Sequence, residues 1–212
     1  MLFENAVTGN TLKLIQQLMN DPLLKHFVLV GGTALSLQIG HRISIDIDLF
    51  TTENFDAPQL MEYLKQKYSF EADFLAKNTL KGEIENTKVD CIRHGYPWIE
   101  QPHIIDKIRM ASLPEIAAMK LNAITTNGTR IKDFIDIAYL SGSLSLNQML
   151  DAYYRKYRNN IVLAVKSLLF FNDVDLSEPV HMANSSGEFK WEVIKERIIL
   201  MQDQPDKRFQ AI

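Results

Sequence analysis

Between Thr11 and Met19 the apolar residues Leu12, Leu14, Ile15 and Leu18 return at helical spacing, and Asn20-Asp21-Pro22 stops the helix they predict. Phe27 to Val30 is a short apolar run that reads as a buried strand. Gly31-Gly32 interrupts it, and Ala34 to Ile39 predicts a short helix with Thr33 as its N-cap. From Ile45 the period drops to two: Ile45, Ile47 and Leu49 alternate with Asp46, Asp48 and Phe50, the pattern of a strand. A polar loop over Thr51 to Pro58 leads into a helix over Ala57 to Lys67. Three extended segments follow, Phe70 to Leu75, Thr79 to Glu85 and Lys88 to Arg93, the last two joined as a hairpin at Asn86-Thr87. Gly95 to Pro102 is irregular and aromatic, and Ile104 to Met110 predicts one more edge strand.

Beyond this point the period is helical. Leu113-Pro114-Glu115 opens a helix, with proline in the first turn and Glu115 at the positive end of the dipole. Ile116, Met119, Ala123 and Ile124 form its apolar stripe, and Asn127-Gly128 ends it. Ile131 to Leu140 is the next helix, and Leu144 to Leu169 is helical with a break near Asn159-Asn160. Asn172 to Gly187 reads as a loop holding Pro179, Ser185 and Ser186. Trp191 to Met201 is the last helix, followed by a polar tail from Gln202 that is expected to fray. Sheet-forming and helical segments thus predict an α+β chain: a mixed sheet flanked by helices over residues 1–112, and a helical C-terminal region over 113–212.

The chemistry concentrates between Val28 and Phe50. Alternate side chains of a strand share a face, so Asp46 and Asp48 project together, roughly 7 Å apart along the backbone, a separation at which two carboxylates share hard divalent cations. The glycine pair lets the backbone approach a ligand, and amide groups at the helix start that follows would face an anion. A phosphate cradle leading into metal-binding carboxylates is an arrangement for phosphoryl or nucleotidyl transfer.

The stretch Gly31-Gly32-Thr33-Ala34-Leu35, His41-Arg42, Ser44 and Asp46-Ile47-Asp48-Leu49-Phe50 resembles the first motif of the AbiEii/AbiGii-type nucleotidyltransferase toxins. These are a branch of the polymerase-β-like nucleotidyltransferase superfamily. The resemblance runs over about residues 25 to 142 and implies that superfamily's fold, with residues 1–112 as the catalytic lobe. It also implies a third carboxylate on a later, adjacent strand, for which Asp90 in Val89-Asp90-Cys91-Ile92 is the best placed; Asp73 and Glu83 are weaker competitors. By the same likeness Lys120 approaches the nucleotide phosphates. The segment Lys132-Asp133-Phe134-Ile135-Asp136 matches most of an Arg-Gly-x-x-Lys-Asp-Phe-x-Asp motif, which makes Lys132, Asp133 and Asp136 nucleotide-site residues. Asn127 stands where that motif commonly has arginine, and Arg130 is the nearby guanidinium. His41, Arg42 and Ser44 join Gly31, Gly32 and Thr33 on the nucleotide.

The resemblance implies a Mg²⁺-dependent nucleotidyltransferase, with two ions on Asp46, Asp48 and Asp90 and Mn²⁺ as the alternative. It would move NMP from an NTP to an RNA acceptor, best a tRNA 3′ end, as the toxin of a type IV toxin–antitoxin system with a cognate antitoxin. Two alternatives stand beside it: transfer to a small molecule such as an aminoglycoside, and a non-catalytic nucleotide-binding module.

Composition alters this picture little. The 212 residues, 46% hydrophobic, suffice for one core or a small catalytic lobe with a helical appendage. The formal charge of −3 does not advertise nucleic-acid binding and leaves the acceptor open. Tyr153, Tyr154, Arg155, Lys156, Tyr157 and Arg158 form the clearest basic and aromatic cluster, which reads equally as an RNA contact or as a packed helix with solvated charges. The loop of Tyr96, Pro97 and Trp98 stacks a base or folds over its own hydrophobes. The single cysteine, Cys91, excludes an intrachain disulfide and reads as a buried thiol in a reducing compartment. With no signal-like start and no apolar run of about 18 residues, a cytoplasmic protein off the membrane is expected.

Overall fold

The structure, a computed structural model, describes residues 2–183, 189–210 and 212. Ser185 and Ser186 of the expected loop lie outside the described residues. The chain divides into two compact units: Met1–Pro97 with Pro102–Ala111, and Trp98–Gln101 with Ser112–Ile212.

The first unit holds a seven-stranded mixed sheet. Its elements are α1 (Gly9–Met19), β1 (Val28–Val30), α2 (Gly31–Ile39), β2 (Ile47–Thr51), α3 (Ala57–Tyr68), β3 (Glu71–Ala76), β4 (Thr79–Ile84), β5 (Thr87–Arg93), β6 (His103–Ile105) and β7 (Ile108–Met110). The strand order is β3-β4-β5-β2-β1-β7-β6, with β2/β5 and β1/β7 parallel and the other pairs antiparallel.

Register sorts the two faces. Leu29, Leu49, Cys91 and Leu80 stand opposite one another across β1, β2, β5 and β4, and all four are fully buried. They form an apolar row of which each large member contributes about 1.5–3 kcal/mol of burial. The adjacent row, Val30, Asp48, Asp90 and Lys81, points to the other face by the pleat. Buried Leu35, Leu37, Leu60 and Leu64 on α2 and α3 complete the core.

Two turns depart from the sequence reading. The β4–β5 hairpin turns on Glu85-Asn86, both at positive φ, one residue before the expected Asn86-Thr87. Two-residue hairpin loops of type I′ need left-handed backbone at both centres, which asparagine tolerates and which here glutamate also adopts. The expected edge strand over Ile104 to Met110 is a hairpin of β6 and β7, folded on Asp106-Lys107 at φ 50° and 67°. No glycine or asparagine marks that turn, and β7 lies inside the sheet, parallel to β1 at Leu29↔Met110.

The second unit comprises α4 (Leu113–Thr126), α5 (Ile131–Leu140), α6 (Leu146–Tyr157), α7 (Ile161–Leu168) and α8 (Trp191–Asp203). The Ser112 hydroxyl caps α4 by accepting from the Glu115 N–H at 3.3 Å, and Ser145 with Gln148 forms a capping box at α6. The break between α6 and α7 falls at Arg158, which adopts a left-handed C-cap, and at Asn160, which caps α7. Phe134 is fully buried and meets Phe171 and Trp191 at ring separations of 6.0 and 5.9 Å. The tail beyond Gln202 is anchored where fraying was expected: the Asn147 N–H donates to Pro205 O and the Phe209 N–H to Ser141 O. Among the described residues no helix is long and apolar enough to cross a membrane.

Candidate active site

Gly31 follows β1 directly at φ +71°, a left-handed conformation that glycine adopts without a Cβ penalty. The chain therefore enters α2 at once, and Val30 is the N-cap; this corrects Thr33, which sits inside the first turn. The Thr33 hydroxyl instead donates to the Asp46 carbonyl and lies 2.9 Å from the Ser44 hydroxyl, tying the first turn of α2 to the segment entering β2. Val30 is paired with Asp48, so the glycine turn stands beside that carboxylate, and a methyl added at Gly31 would overlap Asp48 Oδ2. Gly32 is walled by Arg42, whose guanidinium occupies the space a Cβ would take, with Ser44 Oγ 3.2 Å from that point. Arg42 and His41 are both buried. A cationic side chain thus lies against the amide turn, reinforcing the anion affinity of a helix start.

Asp48 and Asp90 are direct partners on the parallel pair β2/β5, so their side chains share a face with Cβ atoms about 5 Å apart. Asp48 is half-buried and Asp90 buried. Asp46 lies one residue before β2 and is exposed, so the strand carries one of the two carboxylates expected on it. Glu83 pairs across the hairpin with Lys88, and Asp73 sits at a bulge on the exposed β3, so neither joins the row.

Two residues absent from the sequence reading define the surroundings of Asp90. Lys81, its partner on β4, places Nζ 2.9 Å from Asp90 Oδ2, and Lys88 Nζ lies 3.7 Å from the same oxygen. Asp90 Oδ1 is buried without a hydrogen-bond partner. A buried carboxylate oxygen left in this state carries a desolvation cost that a ligand would relieve. Beneath it, burial and then the Asp90 charge push the Cys91 thiol up to about 12, which makes it inert.

Among the described residues no three His, Cys, Asp or Glu side chains converge to enclose a cation. The residues nonetheless suit Mg²⁺, which takes one or two carboxylates together with substrate phosphates rather than a closed protein cage. The unpartnered Asp90 Oδ1 beside Asp48 meets that requirement.

Lys120, Lys132, Asp133 and Asp136 belong to the helical unit. Lys120 is buried on α4, with Nζ 2.6 Å from Asp133 Oδ1 and 2.7 Å from Asp136 Oδ2, both on α5. Lys132 pairs with Glu178 at 2.8 Å. Arg130 precedes α5, and its backbone forms an isolated parallel β-bridge with that of Asp175.

The basic and aromatic cluster on α6 divides, with Tyr153, Lys156 and Tyr157 packed and Tyr154, Arg155 and Arg158 exposed. Tyr153 and Tyr157 are buried, and Lys156 is fully desolvated against Glu115 and 5.5 Å from the Trp98 ring centre. Glu115 also accepts the Ile99 N–H at 2.8 Å, which fastens Trp98–Gln101 to this unit. Tyr154 stays exposed.

A family model described as "Nucleotidyl transferase AbiEii toxin, Type IV TA system" matches residues 13–104 and 92–211. An uncharacterized protein of Aquifex aeolicus (strain VF5) is 30% identical over 166 residues, 75% of this chain and 80% of its own. Among solved structures, a Helicobacter pylori protein assigned as a nucleotidyltransferase superposes with a TM-score of 0.59 at 17% identity, over 94% of this chain and 96% of its own. The JHP933 protein of Helicobacter pylori superposes at 0.55 with 15% identity, over 94% and 93%. At these identities the likenesses show a shared fold.

Proposed function

This chain belongs to the AbiEii nucleotidyltransferase toxin family, and from that membership we propose that it transfers NMP from an NTP to a hydroxyl of RNA, at a tRNA 3′ end, as a type IV toxin opposed by a cognate antitoxin. The observation that carries the reading is the pairing of Asp48 with Asp90 directly beside the Gly31 turn. The amides of Gly31 and Gly32, with Arg42 against them, bind the β- and γ-phosphates and orient the α-phosphorus over Asp48. His41, Ser44 and Thr33 brace that turn. Asp48 and Asp90, joined by exposed Asp46, would hold Mg²⁺, which supplies charge neutralisation on the phosphates and lowers the pKa of the acceptor hydroxyl.

Lys81 holds Asp90 Oδ2, which leaves Oδ1 as the oxygen that accepts the proton of the attacking hydroxyl. The acceptor oxygen bonds to the α-phosphorus, the bridging P–O bond to the β-phosphate breaks, and pyrophosphate leaves toward Gly31-Gly32. RNA is favoured over an aminoglycoside because Lys81, Lys88 and Arg42 offset the charge of Asp46, Asp48 and Asp90, whereas a polycationic acceptor calls for an acidic cleft.

The test is incubation with Mg²⁺, each α-labelled NTP, total RNA and an aminoglycoside, beside Asp48→Asn. Label is expected on RNA with at least one NTP and to fall by about 100-fold or more in the variant. Label on the aminoglycoside alone, or equal labelling by both proteins, overturns the assignment.

A further inference from the structure

Phe50, on the same face as Asp48, begins a series of three aromatic rings at the C-terminal ends of β2 and β5. Phe50 lies two residues beyond Asp48, and His94 four beyond Asp90, where its N–H extends the ladder to Thr51 O at 2.8 Å. The Phe50 and His94 rings are stacked, with centroids 5.4 Å apart and planes at 26°. Tyr96 continues the series 5.1 Å from His94 and is 43% exposed. The Arg93 guanidinium approaches the Gly95 link between these rings, 3.4 Å from where a Cβ would stand. The mechanism above uses none of these side chains.

We infer that Phe50, His94 and Tyr96 form a stacking platform for an unpaired base of the acceptor RNA, upstream of its reacting end; this rests on the acceptor assignment above. In-line displacement sets the direction. Pyrophosphate departs over Gly31-Gly32, on the β1 side of Asp48, so the acceptor oxygen approaches from the opposite, β5 side. The acceptor strand then leaves the site over β5. Four strand residues cover about 13 Å, roughly the rise of four stacked nucleotides at about 3.4 Å each. His94, with Tyr96 5.1 Å beyond it, therefore meets bases a few nucleotides from the 3′ end. Aromatic faces accept any base, so the platform contributes affinity and reach with little sequence preference.

Kinetics with two acceptors test this: the dinucleotide CpA, too short to reach Tyr96, and a single-stranded RNA dodecamer of mixed sequence ending in CCA. Tyr96→Ala is expected to reduce the preference for the dodecamer in kcat/KM by about 5- to 100-fold, with His94→Ala acting in the same direction and Tyr96→Phe retaining the preference. Calorimetric Kd values for Mg·NTP should match wild type and show that the variants are folded. An unchanged dodecamer preference in both alanine variants overturns the platform while leaving RNA as the acceptor. An equal loss of Mg·NTP affinity also overturns it, by assigning the rings to the incoming nucleotide. If wild type labels an aminoglycoside and neither RNA, the acceptor assignment falls and the platform falls with it.

Discussion

A methyl group at Gly31 would have to occupy the space held by Asp48 Oδ2, on a backbone already at φ +71°. Gly31→Ala should therefore displace the carboxylate as well as strain the turn. We expect a stability loss of about 1–2 kcal/mol from the left-handed backbone, and a disproportionate loss of Mg·NTP affinity measured by calorimetry. Much of this residue-scale geometry was legible in the sequence. A glycine pair at the end of an apolar run and carboxylates two residues apart are local patterns, and local patterns survive folding. Lys81 was not legible, because its contact with Asp90 depends on hairpin register. A turn placed one residue late, on Asn86-Thr87, puts Glu83 opposite Asp90; the turn on Glu85-Asn86 puts Lys81 there.

At the scale of elements, two of the charged knots among the described residues carry predictions. Lys120 on α4 is clamped by Asp133 and Asp136 of α5, all three desolvated. Lys120→Met leaves two buried carboxylates without their cation and should cost about 3–5 kcal/mol in urea unfolding, with Lys120→Arg recovering part of it. Helical spacing showed that Asp133 and Asp136 share a face, but spacing alone does not say which cation that face meets. The second knot ties α3 to the turn after α1. The Asp21 carboxylate accepts from Lys67, Tyr63, Tyr68 and the Leu23 N–H. Burial alone would raise its pKa; the hydrogen bonds from Lys67, Tyr68, Leu23 and Tyr63 together outweigh that and hold it below the ordinary carboxylate value. A depressed folded pKa means stability that is fully present above the unfolded value and lost as pH falls through the folded one. The stability difference between wild type and Lys67→Met should thus be full above about pH 3.9 and shrink below it, as read from urea titrations across pH.

At the scale of the whole molecule, substrate binding is expected to be visible in stability. A ligand that binds only the folded state at 100 times its Kd adds about 2.7 kcal/mol, so Mg·NTP should raise the melting temperature of wild type and not of Asp48→Asn. An equal shift in both proteins would remove Asp48 from the nucleotide site. The sequence by itself determined an α+β chain with the strand–glycine–helix–strand unit and its carboxylates, because each of these is written within a few residues and needs only the periods of helix and strand. The family resemblance named Asp90 for the adjacent strand, and tertiary structure decided that it stands directly opposite Asp48 and faces Lys81, that β6 and β7 fold into the sheet, and that Lys120 is held by α5. It also decided that Phe50, His94 and Tyr96 stack. Each of these joins residues distant along the chain through strand register or helix packing, where a slip of one residue turns a side chain to the opposite face.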